Sequence, residues 1–378
     1  MRRVIHGHWK IMGLLIIGIC FILGGVTAAS EVPALRDAKD AAERSRVEAL
    51  IQGAKKEGTL SVVATMVQPE MYKYVLEGFN AYYGLSTANG FTYTSSGRIP
   101  GSVEQLIKAG RPTPDIVWNV SWAWYKDLLA RKQVMRYESP YYKDYTISEK
   151  AGNSFPGYWV SDSYTFSPMW SPTKLAKSGI KNFQPTSWLD FTNPRLAKVL
   201  SIGNISRSMS YSATFLGVRK VIGNDWFKKM AQLKPALYVK SAQGRDWIIS
   251  GEYPITLTGQ VKNAALIKKA GVDVKLLYPK EGIVLLPFAP IITTAASHPN
   301  TAKLFIDYIR SVPGTNRFAA SGVGLIFGRP GVKTPPQLQE FLPSAEKVKF
   351  ISMNWDVDGS TAATKEIQQW VRKIGLAN

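Results

Sequence analysis

The sequence predicts an α/β protein built from two lobes. Predicted strands and helices alternate along the whole chain, which is typical of α/β architecture. The length of 378 residues favours two domains over one. In both halves, predicted strands end in small polar residues at the start of a helix, the edge where open α/β sheets bind ligands. Together these observations predict a ligand cleft between the lobes.

The first 29 residues have the layout of a cleaved signal peptide. Three basic residues precede a short apolar run from Ile11 to Val26, and small residues follow at 27–30. Cys20, the only cysteine, follows Ile19, whereas a lipoprotein signal has a small residue there. We therefore expect cleavage near residues 28–30, a soluble periplasmic protein, and a mature chain without thiols or disulfides.

The chain is strongly basic, with a formal net charge of +20. Removing the three basic residues of the leader lowers this charge to +17. Nucleic-acid binding is not expected, because the protein is predicted to be exported and its Lys and Arg residues are scattered rather than clustered. The charge favours solubility, an acidic partner surface or an anionic ligand.

Hydrophobic periodicity and turn signals define the elements of the first half. Pro69 fits the first turn of a helix, and Gly84 and Gly110 are suited to helix ends. Residues 91–94 alternate aromatic and threonine side chains, as strands do. The predicted order is one or two helices at 31–56, a strand at 59–65, a helix at 69–83, a strand at 91–94, a helix at 101–109, a buried strand at 115–118 and a helix at 122–131.

The second half repeats the alternation between two extended segments that are suited to cross between lobes. These crossings are predicted at 158–170 and 283–296. Between them the pattern predicts helices at 185–191, 224–233, 241–250 and 260–269, and a further helix that follows the polar run 204–212 and ends near 222. Strands are predicted at 198–202, 236–240, 254–258 and 274–278. Helices at 301–311, 315–320 and 361–375 follow.

The candidate ligand-binding residues lie where strands end and helices begin. Helix N-termini offer unpaired N–H groups and partial positive charge, which suit a carboxylate or phosphate. Taken alone, each residue has an ordinary structural explanation as a cap, a turn or, for the aromatic ones, a core residue, so the prediction depends on the recurrence of the pattern. The candidates are Thr65, Gln68, Ser95, Ser96, Gly97, Asn119, Ser121, Trp122, Tyr164, Arg207, Ser208, Ser210, Tyr211, Gln243, Gly259 and Gln260.

We expect two of these junctions, Ser95–Gly97 and Ser206–Ser212, to face each other across the cleft. Arg207 is suited to grip an anionic group with its guanidinium, although a solvated surface arginine is an equal alternative. The nearby aromatic residues favour an organic ligand over bare phosphate or sulfate.

Several segments resemble the extracellular solute-binding proteins of ABC importers, the family that includes ferric-iron binders. The similar segments are KKEGTLSVV (55–63), RPTPDIVW (111–118), WV (159–160), SPTKL (171–175), SGEYPI (250–255) and PNTAKLFIDYI (299–309). The resemblance spans roughly residues 50–330 and implies a type II periplasmic binding fold. It further implies one lobe from 30–160 plus 288–378, another from 161–287, and delivery of the ligand to a membrane permease.

The resemblance also predicts what the chain lacks for iron. Gly259-Gln260-Val261 stands where ferric binders have paired tyrosines. Their carboxylate falls near Asn119 or Val120, and their first-loop histidine near Val67 or Gln68. Without these groups trivalent iron has no adequate ligands, so we expect no metal and no cofactor. A ferric or other metal-complex binder stays open as the alternative.

An enzyme on the same scaffold is a second alternative, but the sequence displays no reactive dyad. His298 is the only histidine after the leader, and we expect it to be a cap or surface residue. Asp356-Val357-Asp358-Gly359 contains only a fragment of a calcium-loop pattern. We therefore expect a monomeric, non-enzymatic binding protein whose partners are a small molecule and a permease.

Overall fold

The computed structural model of the protein describes residues 31–150, 152, 154–343 and 347–378, so the predicted leader and Cys20 lie outside the described residues. The strands are β1 Thr59–Ala64, β2 Ala88–Tyr93, β3 Ile116–Asn119, β4 Asp162–Tyr164, β5 Ser167–Trp170, β6 Leu200–Gly203, β7 Ala236–Tyr238, β8 Ile255–Gly259, β9 Lys275–Leu276 and β10 Leu286–Ile292.

The helices connect these strands and pack against the sheets that the strands form. They are α1 Pro33–Arg36, α2 Ala41–Glu57, α3 Pro69–Tyr83, α4 Arg98–Lys108, α5 Trp122–Ala130, α6 Thr146–Lys150, α7 Pro172–Lys177, α8 Met209–Ile222, α9 Asn224–Leu233, α10 Ser241–Ser250, α11 Val261–Lys269, α12 Pro299–Arg310, α13 Val312–Ala320, α14 Pro336–Gln339 and α15 Thr361–Lys373. Among the described residues, none of these helices has the length and apolar character that crossing a membrane requires.

Two five-stranded sheets confirm the predicted α/β class. The first has the order β2-β1-β3-β10-β4 and the second the order β7-β6-β8-β5-β9. In each sheet the first three strands are parallel and the fourth is antiparallel to its neighbours, so the parallel strands end at a common edge. We call the parts built on these sheets the first and second lobes.

The first predicted crossing is confirmed. β4 pairs with β10 in the first sheet, and β5 pairs with β8 in the second, so the chain passes between sheets at Thr165 and Phe166. The return runs from β9 to β10. Close to the first crossing, Asp162 of β4 accepts a 2.6 Å hydrogen bond from Arg310 of α12, and both side chains are fully buried.

The lobe boundaries expected from the sequence stay a prediction, but the C-terminal helix favours a revision. Helix α15 packs on α8, which follows β6 of the second sheet. Glu366 forms an ion pair with Arg219 there, and Gln368 donates a 3.0 Å hydrogen bond to Ser212. We expected residues 288–378 to lie wholly in the first lobe.

Most predicted elements occur within a few residues of their predicted bounds. Pro69 begins α3, and Gly58 and Gly84 end α2 and α3 with left-handed backbone, as expected. Strand β2 begins three residues earlier than predicted, at Ala88, because pairing with β1 overrides the poor strand propensity of Asn89 and Gly90. A side chain at Gly90 would place its Cβ 2.9 Å from the carbonyl oxygen of Leu60. The short helices α6, α7 and α14 were not predicted.

Candidate ligand cleft

Loops at the carboxyl edges of the two sheets touch each other and so define a cleft. Met66 follows β1 of the first lobe, and its sulfur lies 3.5 Å from the Gln260 amide nitrogen of the second lobe. Its carbonyl oxygen accepts a 3.2 Å hydrogen bond from the ammonium group of Lys262. A second contact joins the hydroxyl of Ser121, after β3, to the sulfur of Met209 at the start of α8, 3.5 Å away.

Lys262 is the residue that sequence reasoning missed. Its side chain is only 6% exposed, and the Met66 carbonyl is its hydrogen-bond acceptor. Within the described part of the chain, no carboxylate forms an ion pair with its ammonium. Burial, together with the nearby positive charge of Arg245, lowers the pKa of Lys262 to about 8. The cleft therefore contains a buried cation without a counter-charge.

The position of Lys262 in its helix also runs against the usual charge pattern. It is the second residue of α11, where the N–H groups already carry partial positive charge. Cations normally occupy the last turn of a helix, where Lys268 and Lys269 indeed lie. A lysine in the first helical turn after a strand end is the sequence signal that could have drawn attention to this site.

Gln260 lies beside Lys262 and also lacks strong partners. It occupies the N-cap position of α11 without capping the helix through its side chain. Its amide oxygen is buried and accepts no hydrogen bond from any described residue. The preceding Gly259 is required for packing, because a Cβ there would lie 2.5 Å from the Cβ of Met169. Of these two candidates, Gln260 is the one with polar groups available to a ligand.

The loop after β1 is held in an unusual turn. The Val67 N–H donates a 2.7 Å hydrogen bond to the Thr65 carbonyl, and the intervening Met66 has a φ of 65°. Such γ-turns are strained for a non-glycine residue and cluster at functional sites. Thr65 is buried, whereas Gln68 is half-buried at the start of α3. The turn directs the Met66 carbonyl at Lys262.

The loop after β3 supplies a fixed amide. Asn119 donates from its side chain to the Ser96 carbonyl at 3.1 Å and to the Ser121 hydroxyl at 3.0 Å. These two bonds orient the amide, and its oxygen is left buried without a donor among the described residues. Ser96 is buried beneath it, while Ser95 and Gly97 are exposed. Gly97 is the N-cap of α4, and no side chain caps that helix.

At the start of α8 the serine hydroxyls are mostly occupied. Ser208 caps the helix by accepting from the Tyr211 N–H, and Ser210 shares a 2.7 Å hydrogen bond with the Tyr164 hydroxyl. Ser206 donates to Asn378, and Ser212 donates to backbone carbonyls. One contact across the cleft involves this junction, at Met209, but none among the described residues involves Ser95–Gly97, so the expected opposition of Ser95–Gly97 and Ser206–Ser212 stays a prediction.

Arg207 and Gln243 lie outside the contacts just described. Arg207 is exposed, and no described carboxylate forms an ion pair with it, which matches the alternative of a solvated arginine. Gln243 is also exposed and lines a groove of about 630 Å³ on the second lobe, together with Asn204, Lys240 and Trp247.

Aromatic side chains surround the start of α8. Tyr211 packs edge-on against Phe166, with ring centroids 4.8 Å apart. Burial raises the pKa of Tyr211 well above its ordinary value and also raises that of Tyr164, so both stay neutral phenols at physiological pH. Trp122 is buried, stacks edge-on against Trp159 and donates a 3.1 Å hydrogen bond to Asp356.

The structure also shows the surroundings of His298 and of the segment 356–359, two features that the sequence analysis singled out. His298 holds the N-cap position of α12, but its ring lies 2.9 Å from the Asp115 carboxylate and does not cap the helix. Asp356 pairs with Lys126, and Asp358 pairs with Lys220. Across the described residues, no group of three or more His, Cys, Asp or Glu side chains is placed to hold a metal ion.

Comparisons with known proteins agree with this architecture. A family model described as bacterial extracellular solute-binding protein matches residues 111–356. An uncharacterized Haemophilus influenzae protein is 30% identical over 211 residues, which span 54% of this chain and 59% of that protein.

Solved structures share the fold. One is the periplasmic binding protein AfuA from Actinobacillus pleuropneumoniae with exogenous fructose-6-phosphate bound, with a TM-score of 0.68 at 20% identity over 84% of this chain and 99% of that chain. Iron-bound HitA from Pseudomonas aeruginosa has a TM-score of 0.65 at 16% identity over 84% and 99%. An ABC-transporter binding protein from Agrobacterium tumefaciens has a TM-score of 0.68 at 14% identity over 86% and 97%.

Proposed function

Because the chain belongs to the family of bacterial extracellular solute-binding proteins, we propose that it captures a small organic anion in the cleft between its lobes. We further propose that it works in the periplasm as a monomer and delivers this solute to the permease of an ABC importer, without a cofactor and without nucleic acid. The family and the type II fold support a transport role, and the cleft residues support the choice of solute.

The single observation that carries the anionic assignment is Lys262. An ammonium group that is 94% buried without a carboxylate destabilises the closed cleft, since one neutral carbonyl replaces little of its lost hydration. A carboxylate or phosphate bound beside Lys262 would restore that stability through a charge-assisted hydrogen bond. The N–H groups at the start of α11 would add to the attraction.

The rest of the solute is organic in this proposal. The amide groups of Gln260 and Asn119 are suited to hydroxyl groups of the solute, because each retains a buried oxygen that can accept a hydrogen bond and has no donor among the described residues. Tyr211 and Trp122 supply aromatic surface near the same edge. The structure of AfuA with fructose-6-phosphate bound makes phosphorylated sugars a natural group to test first.

Ferric iron is the weaker candidate for this cleft. HitA, which shares the fold of this protein, is described as iron-bound, but at 16% identity the likeness concerns the fold alone. Gly259-Gln260 offers no phenolate, and Lys262 would repel a trivalent cation at this turn. An enzyme on the same scaffold is also disfavoured, because the only described histidine is held against Asp115, away from any serine or cysteine partner in the described contacts.

The test is a thermal-shift screen of solutes in matched pairs, each with and without its anionic group, such as a sugar phosphate and the free sugar. A ligand at one hundred times its Kd should stabilise the protein by about 2.7 kcal/mol. We expect shifts from anionic members only, abolished by Lys262→Met and retained by Lys269→Met, an exposed control on the same helix. Shifts from neutral or cationic solutes that survive Lys262→Met would contradict the proposal.

A further inference from the structure

A short segment near the C-terminus joins the two lobes at helix α5. We propose that residues 354–358 form an interlobe strap that is carried by the second lobe, holds helix α5 of the first lobe and favours the closed cleft. This inference rests on the proposed function only in assuming that the closed form is the one that holds the solute. It concerns how the two lobes are held together and not which solute they bind.

The strap is anchored to the second lobe on both sides. Before it, Met353 packs on α8, where a Cβ at Gly217 would lie 2.9 Å from its sulfur. Within it, the largely buried Asp358 pairs with Lys220 of α8 and accepts a 2.8 Å hydrogen bond from the Asn354 N–H. After it, α15 packs along α8. These contacts make the segment a rigid projection from the second lobe.

The tip of the strap reaches the first lobe through one carboxylate. Asp356 accepts a 3.1 Å hydrogen bond from the Trp122 indole and a 2.8 Å hydrogen bond from the Lys126 ammonium, both from one face of α5. Below them, the Cα of Gly359 approaches closely enough that an added Cβ would lie 3.5 Å from the Trp122 Cβ. Helix α5 begins directly after Ser121, the residue that touches Met209 across the cleft.

This arrangement couples the strap to closure. Hinge motion separates the lobes as rigid bodies. Helix α5 moves with the first sheet, whereas Asp356 stays with α8, so opening must stretch or break the contacts of Asp356 with Trp122 and Lys126. Asp356 is therefore a positioning residue, which acts on the cleft through α5 and does not touch the solute.

The experiment measures lobe separation in the ligand-free protein. Spin labels are placed on cysteines introduced at the exposed positions Lys73 and Lys229, one on each lobe, with Cys20 replaced by serine. Pulsed dipolar spectroscopy then gives the open and closed fractions. An exposed ion pair and one indole hydrogen bond are worth a modest factor, so Asp356→Asn should raise the open-to-closed ratio about three- to tenfold.

The controls separate the strap from general stability and from the proposed function. Lys126→Met should raise the ratio in the same direction, and the double variant should add little. Asp225→Asn removes an ion pair inside α9 and should leave the ratio unchanged. If Asp356→Asn and Lys126→Met both have the same open-to-closed ratio as the parent protein, the strap proposal is wrong. Because no solute is added, a protein that binds no anion can still confirm it.

Discussion

Replacing Lys262 by methionine should stabilise the ligand-free protein and abolish anion binding at once. Methionine keeps the length of the side chain and removes the charge. Burial lowers the pKa of this ammonium from an ordinary 10.5 to about 8, a difference that corresponds to roughly 3 kcal/mol of destabilisation while the amine is protonated in the closed protein. Loss of the hydrogen bond to the Met66 carbonyl offsets about 1 kcal/mol of this gain.

The expected net gain is therefore about 2 kcal/mol in the free energy of unfolding at pH 7, measured by urea denaturation without ligand. The size of this gain depends on pH. The penalty is fully present below about pH 8, where the amine is protonated in both states, and it fades as the pH rises toward 10.5, where both states are neutral. The stability difference between Lys262→Met and the parent protein should shrink over the same range.

A lysine that merely ties the lobes together would behave in the opposite way. In that case Lys262→Met would lower the free energy of unfolding and leave anion-induced thermal shifts intact. Lys269→Met, an exposed substitution on the same helix, should change neither quantity by more than about 0.5 kcal/mol. A destabilised Lys262→Met variant that still binds anions would refute the reasoning.

Three further results are expected. Protein mixed with ferric citrate should retain no iron and no charge-transfer colour after desalting, because Gly259 and Gln260 provide no phenolate; a coloured one-to-one complex would contradict this. Affinity for an anionic solute, followed by calorimetry, should weaken above about pH 8 as Lys262 loses its proton, and a flat profile would count against its role. Asp162→Ala should cost about 3–5 kcal/mol in urea unfolding, because it leaves the buried Arg310 guanidinium without its carboxylate, and a loss below 1 kcal/mol would argue against that pair.

Local chemistry explains why so much of the fold was predictable from the sequence. Pro69 and Gly84 mark the ends of α3 through backbone geometry alone, and the short apolar run of β3 predicts a strand that is buried on both faces, as all four of its residues are. The first crossing was predicted from a long extended, aromatic segment, and β4 and β5 within it pair in different sheets. The pairing of β2 along Asn89 and Gly90 was not, since it depends on the neighbouring strand β1.

The candidate site was harder to predict because burial is a property of the folded chain. Lys262 is one of 47 lysine and arginine residues, and the residues next to it in the sequence do not reveal that its side chain is buried between the second lobe and Met66. Arg207 was preferred because it lies in a serine-rich helix start, yet the structure leaves it exposed. Asp356 lies in a mere fragment of a calcium-loop pattern, and its partners come from a helix more than two hundred residues earlier in the chain.

The most direct test of the central claim is a calorimetric titration with the best anionic solute from the screen, followed by recovery of that solute. The account predicts one solute bound per chain, loss of binding in Lys262→Met, and a solute whose mass and structure are unchanged after the protein is denatured. A chemically altered solute would indicate an enzyme, and equal binding of the uncharged analogue would contradict anion capture by Lys262.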